Sequence, residues 1–454
     1  MQPFGTLDSS LKNSDAQTMS QPNSSMPLGA AYRWYALAIL LIVYVFNFID
    51  RSILSILAQA IKEDLALSDS QLGFLGGLAF AVFYTFLGIP IARLADRGVR
   101  RNILAVCLTI WSAMTAVCGY AQNFGQLLFA RIGVAIGEAG GSPPSHSMIS
   151  DLFPVNQRAT ALGIYALGIP IGTMIGNLAG GWINEVFDWR TAFMVVGIPG
   201  VIMAIVVRLT LIEPTRGGAD RGGAESVATP TGTVPPVGDV FRYLWSRQSF
   251  RYMSLGAALH AFVGYGVGAW VPAMMIRSHA WNTADIGSAL FLLGFFGMLG
   301  TFSGGYVADR LGIKDVRWYV WLPGLATIIS VPFAAFSYLW HDAVPALVVY
   351  AIPYVLGAYY LGPTFSLTQG LVGLRMRALA ASILLFVLNI IGMGLGPWFV
   401  GIASDVLAKT TSLGTESLRW ALVMSLVFNV ISAGLYLRAA RTLKEDLANS
   451  HAMS

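Results

Sequence analysis

Long apolar runs divide the chain into segments that each match the thickness of a membrane. A helix needs about 20 mostly apolar residues to cross a hydrocarbon core about 30 Å thick, and twelve runs of this kind follow one another. We therefore expect an all-α polytopic membrane protein with twelve transmembrane helices. The predicted spans cover residues 32–60, 70–95, 102–121, 124–148, 158–184, 190–212, 250–277, 284–308, 316–338, 343–370, 376–404 and 416–441.

Polar stretches flank the runs and divide them into two sets of six. Residues 1–30 are rich in Ser, Asn, Gln and Pro and lack the pattern of a signal peptide, which indicates a disordered tail. The segment 213–249 begins with a Gly-, Ala-, Thr- and Pro-rich stretch typical of a linker. The predicted units are the tail 1–30, an N-terminal six-helix half 31–212, the linker 213–249, a C-terminal six-helix half 250–441 and a tail 442–454.

The composition supports this class of protein. The chain is 56% hydrophobic and 11% charged, whereas soluble domains are about 25% charged. Its formal net charge of +5 does not indicate nucleic-acid binding, because most basic residues lie at the ends of spans. Cys107 and Cys118 fall in one predicted span, so they indicate buried free thiols and neither a disulfide framework nor a metal site.

The basic residues also predict the orientation of the chain. Loops on the cytoplasmic side of a membrane protein carry an excess of Lys and Arg. The side opposite the linker receives only Lys62, Arg190, Arg277, Lys409 and Arg419. Apart from Arg51 and Arg131, which lie inside spans, all the other basic residues fall on the side of the linker and both termini. That side is therefore predicted to be cytoplasmic, and the compact chain favours a bacterial inner membrane.

The two halves share an internal repeat. ARLADRGVRR, from Ala92, and GYVADRLGIK, from Gly305, each close the second span of a half. QRATALG and MRALAAS, which contain Arg158 and Arg377, each open the fifth span of a half. Many secondary transporters are built from repeats with the substrate site near the bilayer midplane between them.

These motifs resemble those of the major facilitator superfamily. GYVADRLGIK is similar to the superfamily signature, and ARLADRGVRR departs from it because Ala92 replaces the first glycine and the second is shifted to Gly98. Within the superfamily, NFIDR ending at Arg51, RIGVAIGEAG and DLFPVNQRATALGIY resemble the Spinster-type transporters, proposed carriers of lysophospholipids and sphingolipids. The resemblance extends from about residue 30 to 440 and implies that the first and fourth spans line one cavity.

Four charged residues lie where hydrocarbon should exclude them: Asp50 and Arg51 in the first span, and Arg131 and Glu138 in the fourth. A charge at the bilayer centre costs at least about 2.5–3.5 kcal/mol, so such residues indicate a functional site. Asp50 and Arg51 point about 100° apart on a helix and need separate partners, whereas Arg131 and Glu138 share nearly one face. The resemblance implies that Asp50 lies near Arg131, and Arg51 near Glu138 or the lumen.

We hypothesise that these charges couple protons to transport. Asp50 would carry the proton, Arg131 would keep it ionised until substrate or a conformational change separates the two, and Glu138 would gate or sense on the same face. The alternative is a static salt-bridge network that fixes the packing of the spans, although apolar pairs are often no less stabilising than buried ion pairs.

The second half has far fewer charges within its spans. His260 in the seventh span either contacts a substrate head group or is hydrogen-bonded in the core, and Tyr360 in the tenth span is a further candidate for substrate binding. Together with Arg51, Arg131 and Glu138, these residues predict a cavity that is charged on one wall and aromatic or aliphatic on the other. Such a cavity suits an amphipathic substrate.

Charged residues at the linker ends of several spans indicate conformational gating. An aspartate at such a position can accept hydrogen bonds from helix N-termini of the opposite half and pair with arginines there. The alternative is the charge bias that orients any membrane protein. The predicted gating residues are Asp96, Arg97, Arg100, Arg101, Arg158, Asp309, Arg310 and Arg377.

No arrangement of residues indicates an enzyme, because HSMISD around His146 lacks an elbow, oxyanion donors and metal ligands. We expect a monomeric secondary active transporter, driven by a proton gradient without another cofactor, that moves a lipid-like amphiphile across the bilayer by alternating access. Two alternatives remain open: a proton-coupled carrier of drugs or small organic anions, and a non-coupled lipid scramblase or receptor of the same fold.

Overall fold

The computed structural model of the protein describes residues 29–217, 219, 236–373 and 376–451, and these are almost entirely helical. The N-terminal half contains α1 (Ala30–Asp64), α2 (Asp69–Gly76), α3 (Leu78–Arg97), α4 (Arg100–Cys118), α5 (Phe124–Glu138), α6 (Ser142–Leu152), α7 (Val155–Ala166), α8 (Gly168–Val186) and α9 (Trp189–Thr210). Side chains cap several helix starts: Ser68 forms a capping box with Gln71, and Asn123 and Asp188 accept main-chain N–H groups at the starts of α5 and α9.

The C-terminal half repeats this pattern of long and broken helices. It contains α10 (Val237–Ser246), α11 (Gln248–His279), α12 (Thr283–Gly312), α13 (Trp318–Leu339), α14 (Ala343–Gly357), α15 (Leu361–Gly370), α16 (Arg377–Val387), α17 (Gly396–Thr410) and α18 (Ser417–His451). Short 3-10 turns at Ala358–Tyr360 and Gly414–Glu416, and a π-helix at Leu388–Leu395, connect these helices. The π-helix lies midway along the eleventh span.

The described residues form helices at the positions of all twelve predicted spans. Within the described residues, eleven helical segments are long and apolar enough to cross a membrane. The fourth span is divided into α5 and α6 by a turn at residues 139–141, directly after Glu138. The break therefore lies beside one of the charged residues that the sequence singles out.

Two of the predicted connecting segments are partly helical. The predicted linker 213–249 contains α10, which packs on α11 and α16 through the buried Val240 and Leu244. The predicted tail 442–454 is helical as far as His451 because Leu443 is buried and Asp446 accepts the main-chain N–H of Ser249. Most of the predicted N-terminal tail (1–28) and the linker residues 218 and 220–235 lie outside the described residues.

The chain alternates between two ends of the helix bundle, which we name by their loops. The linker face carries residues 98–99, 211–217 and 313–317, and the far face carries residues 65–68, 119–123, 187–188, 280–282 and 411–413. The two halves meet along α1 with α11, α2 with α17, and α8 with α12. Gly181 allows the last of these contacts, since a Cβ there would lie 2.2 Å from the main-chain oxygen of Thr283.

Polar contacts between the halves cluster on the far face. Arg277 donates two hydrogen bonds of 2.7 Å to the carboxylate of Asp69. Asp405 accepts the main-chain N–H groups of Asp69 and Ser70, and Thr283 donates to the main-chain oxygen of Gly181 at 3.0 Å. The structure is therefore closed on the far face.

Candidate substrate and proton site

Asp50 lies midway along α1 and is 1% exposed. Its carboxyl faces Thr115 on α4, and its Oδ1 atom has no hydrogen-bond partner among the described residues. An unpaired buried acceptor carries a desolvation penalty unless a proton, a water molecule or a cation reaches it. The position is therefore chemically suited to take up and release a proton.

Arg51 and Glu138 form a buried ion pair between α1 and α5. The Nε atom of Arg51 donates to Oε2 of Glu138 at 2.7 Å, and the Glu138 side chain is fully buried whereas that of Arg51 is 19% exposed. The guanidinium carbon of Arg51 lies 5.0 Å from the ring centre of Phe48, 5.3 Å from Phe80 and 4.6 Å from Tyr84. Aromatic faces stabilise a cation at such distances. The proximity of Arg51 and Glu138 that the resemblance implied is confirmed.

Arg131 contacts Asp50 differently from the prediction. Its Nη1 atom donates to the main-chain oxygen of Asp50 at 3.4 Å, and no ion pair joins the two side chains among the described residues. The Asp50 carboxyl lies near the Thr115 hydroxyl on α4 instead. Arg131 instead lies over Phe80, with its guanidinium carbon 5.2 Å from the ring centre, so that one ring contacts both arginines.

A cavity of about 220 Å³ lies between the two halves, next to Arg51 and Arg131. Arg51 and Arg131 line its N-terminal wall beside Phe48 and Phe80. The wall from the C-terminal half carries no charged side chain, and its residues are Gly264, Tyr265, Gly268, Ala269, Trp270, Met393 and Pro397. The asymmetry that the sequence predicts between the two walls is present in the cavity.

His260 and Tyr360 do not line this cavity. The Nε2–H of His260 donates to the main-chain oxygen of Gly357 at 2.8 Å, and the hydroxyl of Thr327 donates to Nδ1 at 3.1 Å. The ring of Tyr360 packs on the imidazole with 4.6 Å between ring centres. This geometry matches the hydrogen-bonded alternative for His260, because both ring nitrogens are engaged where α14 ends.

The predicted gating residues lie on the linker face, and the contacts seen for Arg100, Arg101 and Asp309 stay within their own halves. Arg100 is fully buried and binds Asp151, Ser147 and Glu213. The main-chain N–H and Nη1 of Arg101 donate to Glu213 and to the main-chain oxygen of Leu211. Asp309 accepts a hydrogen bond from Tyr319, and Arg310 lies over the ring of Tyr306.

The rest of the predicted gating set lies close to the ends of helices. Asp96 and Arg97 are exposed in the last turn of α3, Arg158 is half-buried in α7, and Arg377 is exposed at the start of α16. The predicted pairing of Asp96 and Asp309 with the opposite half is not seen among the hydrogen bonds and ion pairs of the described residues in this conformation. A gating role for this set stays a prediction.

Comparison with known proteins identifies the family. Residues 40–397 match the sequence model of the Major Facilitator Superfamily. The chain belongs to the major facilitator superfamily. It is 31% identical to an MFS-type efflux pump of Mycolicibacterium smegmatis over 94% of this chain and 99% of that protein, and 25% identical to protein spinster homolog 1 of Xenopus tropicalis over 92% and 83%.

A solved structure supports the same branch of the superfamily. The chain superposes with a TM-score of 0.84, at 33% identity, on a bacterial homologue of the human lysosomal transporter Spinster in an inward-facing and unoccupied conformation. That match covers 92% of this chain and 99% of the other. The protein is therefore a multi-pass membrane transporter of the Spinster type and not an enzyme, as the sequence predicts.

One group of residues that sequence analysis missed joins the halves of this transporter on the far face. Asp69, at the start of α2, accepts hydrogen bonds from Arg277, from Lys62 at 2.5 Å and from Ser404 at 2.7 Å. Arg277 also donates to Gln59. The only sequence signal is that Lys62 and Arg277 are among the few basic residues of that side. We call Lys62, Asp69, Arg277 and Ser404 the far-face latch.

Proposed function

We propose that the protein is a proton-coupled secondary active transporter that moves a lipid-like amphiphile by alternating access. The observation that carries this proposal is the cavity between the halves, which is cationic and aromatic on one wall and free of charged side chains on the other. An anionic head group fits beside Arg51 and Arg131, and an apolar tail fits beside Ala269, Trp270 and Met393.

The excess of positive charge in the cavity supports an anionic head group such as a phosphate. Arg51 is neutralised by Glu138, but Arg131 has no carboxylate within ion-pair distance among the described residues. A guanidinium without a carboxylate partner binds a phosphate or carboxylate through paired N–H donors. A lysophospholipid or a phosphorylated sphingolipid has this chemistry together with a single tail.

Proton coupling is proposed for Asp50, Arg131 and Glu138. When Asp50 is protonated, Arg131 is free to bind the head group of the substrate. When Asp50 loses its proton, its negative charge competes for Arg131 and favours release. Glu138, the partner of Arg51, is the last residue of α5 and directly precedes the break between α5 and α6. A head group that binds Arg51 therefore also affects the position of α5 relative to α6 in the fourth span.

Alternating access is supported by the position of the contacts between the halves. The far-face latch closes one end, whereas Asp96, Arg97, Asp309 and Arg377 are exposed at the other. We propose that the linker face is cytoplasmic, in agreement with its excess of basic residues, and that the membrane is a bacterial inner membrane. One chain supplies both walls of the cavity, so we propose a monomer as the working unit.

The rival within the same mechanism is a drug or organic-anion carrier. One relative is described as an MFS-type efflux pump, and another, 27% identical over 61% of this chain, as a probable L-galactonate transporter of Escherichia coli. A sugar acid would engage the arginines but leave the apolar wall of the cavity without contacts. A non-coupled scramblase or receptor is the second rival.

Reconstituted vesicles separate these functions. The purified protein is inserted into liposomes, a pH gradient is imposed, and a fluorescent lysophosphatidylglycerol is added outside. Albumin then extracts the outer leaflet, so that the retained fluorescence measures movement across the membrane. We expect accumulation above equilibrium that a protonophore abolishes and that Arg131→Gln removes, whereas the far-face variant Arg190→Gln keeps it.

Other results of this liposome assay would favour the alternative functions. Accumulation of a radiolabelled uronate or of a cationic dye, without movement of the lysolipid, would favour the carrier of organic anions or drugs. Equilibration of the lysolipid without accumulation, and without an effect of the protonophore, would favour a scramblase. No movement of any solute by folded protein would favour a receptor.

A further inference from the structure

The short helix α10, at the end of the linker, has two apolar faces, and the described part of the chain covers only one of them. Val240 and Leu244 are buried against the C-terminal half. Val237 and Phe241, on the adjoining face, are 55% and 42% exposed, and the half-buried Trp245 stacks on Phe241 with 5.5 Å between ring centres. Residues four apart share one side of a helix, so the uncovered strip runs along the whole helix.

Basic side chains border this uncovered strip. Arg242 is 84% exposed, and its contact with Asp239 at 3.5 Å is a surface pair of little strength. Arg247 follows α10 directly, with its guanidinium carbon 4.8 Å from the ring centre of Tyr243. Arg438, in the second half of α18, lies over Tyr252 in the first turns of α11. Three arginine side chains therefore lie near the contact between α10 and the C-terminal half.

Acidic side chains of the same region are already engaged. Asp315 accepts hydrogen bonds from Arg317 and Lys444, and these contacts hold the pKa of Asp315 below its usual value. Asp446 accepts the main-chain N–H of Ser249 at 2.9 Å. With Asp315 and Asp446 engaged and Asp239 offset by Arg242, Arg247 and Arg438 contribute the excess of positive charge next to α10.

We propose that α10 is a membrane-surface helix that binds the anionic lipid head groups of the leaflet on the linker face. A helix with an aromatic and aliphatic strip bordered by arginines lies in the plane of the interface, with its apolar side about 5–10 Å deep at the boundary between head groups and acyl chains. Trp245 and Phe241 are suited to that depth, and Arg242 and Arg247 reach the phosphates.

Continuity with the membrane-spanning part of the chain identifies the bilayer as the occupant. Only Arg247 separates α10 from α11, and α11 crosses the membrane. The uncovered strip therefore begins where α11 enters the lipid. When α10 lies at the membrane surface, it anchors the end of the linker to the C-terminal half. Binding of anionic lipid by α10 therefore also restrains the linker relative to the spans.

A fluorescent label at Gly238 tests this inference in the full-length protein. A Cβ at Gly238 would meet nothing within 4 Å, so Gly238→Cys is accommodated, and Cys107 and Cys118 are buried and protected from labelling. The protein labelled with bimane is placed in nanodiscs that contain lipid with a doxyl spin label near the glycerol. Doxyl-phosphatidylglycerol and doxyl-phosphatidylcholine are compared as quenchers at equal mole fraction.

We expect both lipids to quench the label, and phosphatidylglycerol to do so at a mole fraction several times lower. Arg242→Gln combined with Arg247→Gln should remove this preference, because each arginine near an anionic surface changes partitioning about fivefold. Arg93→Gln combined with Arg208→Gln removes two exposed arginines from the N-terminal half and should leave the preference intact.

Three results would overturn the proposal. Absence of quenching by either lipid would show that α10 lies in water. Equal quenching by the two lipids in the unmodified protein would remove the role of anionic head groups. A preference that survives the loss of Arg242 and Arg247 would assign it to other residues. A label at Val348, which is 67% exposed on α14, provides the control for quenching within the membrane.

Discussion

Replacing Asp69 by asparagine should weaken closure of the far face. The Asp69 carboxylate accepts two hydrogen bonds from Arg277, one from Lys62 and one from Ser404, at 2.5–2.7 Å. Arg277 is 8% exposed in its side chain, so it would lose its charged partner without gaining water. Breaking a buried ion pair costs about 3–5 kcal/mol, and we expect the low end because asparagine keeps an acceptor oxygen and the half-exposed Lys62 reaches solvent.

This loss acts on the conformational equilibrium. The contact between Asp69 and Arg277 joins the two halves, so it exists only when the far face is closed. A loss of about 3 kcal/mol from one state alone changes the ratio of the two states more than 100-fold. The far-face-open state should therefore become much more populated in Asp69→Asn.

Distances between spin labels measure this change. Labels at Tyr120 and Ser412 report on the far face, because both residues are exposed in loops of opposite halves. Double electron–electron resonance should show a longer distance component in Asp69→Asn than in the parent protein. Asp64→Asn is the matched control, since Asp64 pairs with Arg190 of its own half on the same face. Equal distance distributions for the two variants would refute the latch.

Two further changes test the packing. Arg100→Ala should destabilise the fold by about 3 kcal/mol, because Asp151 and Glu213 lose their cationic partner, and should lower the melting temperature in detergent. Arg93→Ala, at an exposed position, should leave the melting temperature unchanged. Equal melting temperatures for the two variants would contradict the buried role of Arg100. Gly181→Ala should separate α8 from α12, since its Cβ would lie 2.2 Å from Thr283, and should lengthen the distance between the far-face spin labels. Gly163→Ala is the control, because a Cβ there would meet nothing within 4 Å. An unchanged distance in both variants would contradict the close approach of α8 and α12.

The fold was largely predictable because hydrocarbon imposes a simple rule on sequence. All twelve spans follow from apolar runs, and the two halves follow from the polar stretch between them. The short helix α10 was missed because it follows a Gly- and Pro-rich stretch and spans only Val237–Ser246, too short for its apolar period to stand out. The break at residues 139–141 was also missed, since GEAGGS also fits a continuous, closely packed helix.

The site was predictable only in part. Buried charges are rare enough in spans to mark Asp50, Arg51, Arg131 and Glu138, and the structure brings all four together. Asp50 lies next to Arg131 as predicted, but Arg131 donates to the main-chain oxygen of Asp50 and no ion pair between the two side chains is seen among the described residues. Sequence gives the angle between side chains on one helix and not the rotation of that helix against its neighbours, so it does not distinguish these two contacts.

The far-face latch was even harder to predict from the sequence than the central site. Asp69 directly follows the N-cap Ser68, where an acidic residue is common at the start of any helix. Its partner Arg277 lies 208 positions away in the chain, in the last turn of α11 in the other half. Only the packing of α2 against α17 and of α1 against α11 brings these residues together.

The central claim is that Asp50 carries the proton that drives transport, and one measurement tests it most directly. Proton entry into liposomes is followed with an internal pH dye after lysophosphatidylglycerol is added, for the parent protein, for Asp50→Asn and for the exposed control Asp239→Asn. We predict lipid-dependent proton movement in the parent and in Asp239→Asn, and none in Asp50→Asn despite an unchanged yield of folded protein. Normal proton movement in Asp50→Asn would contradict the account.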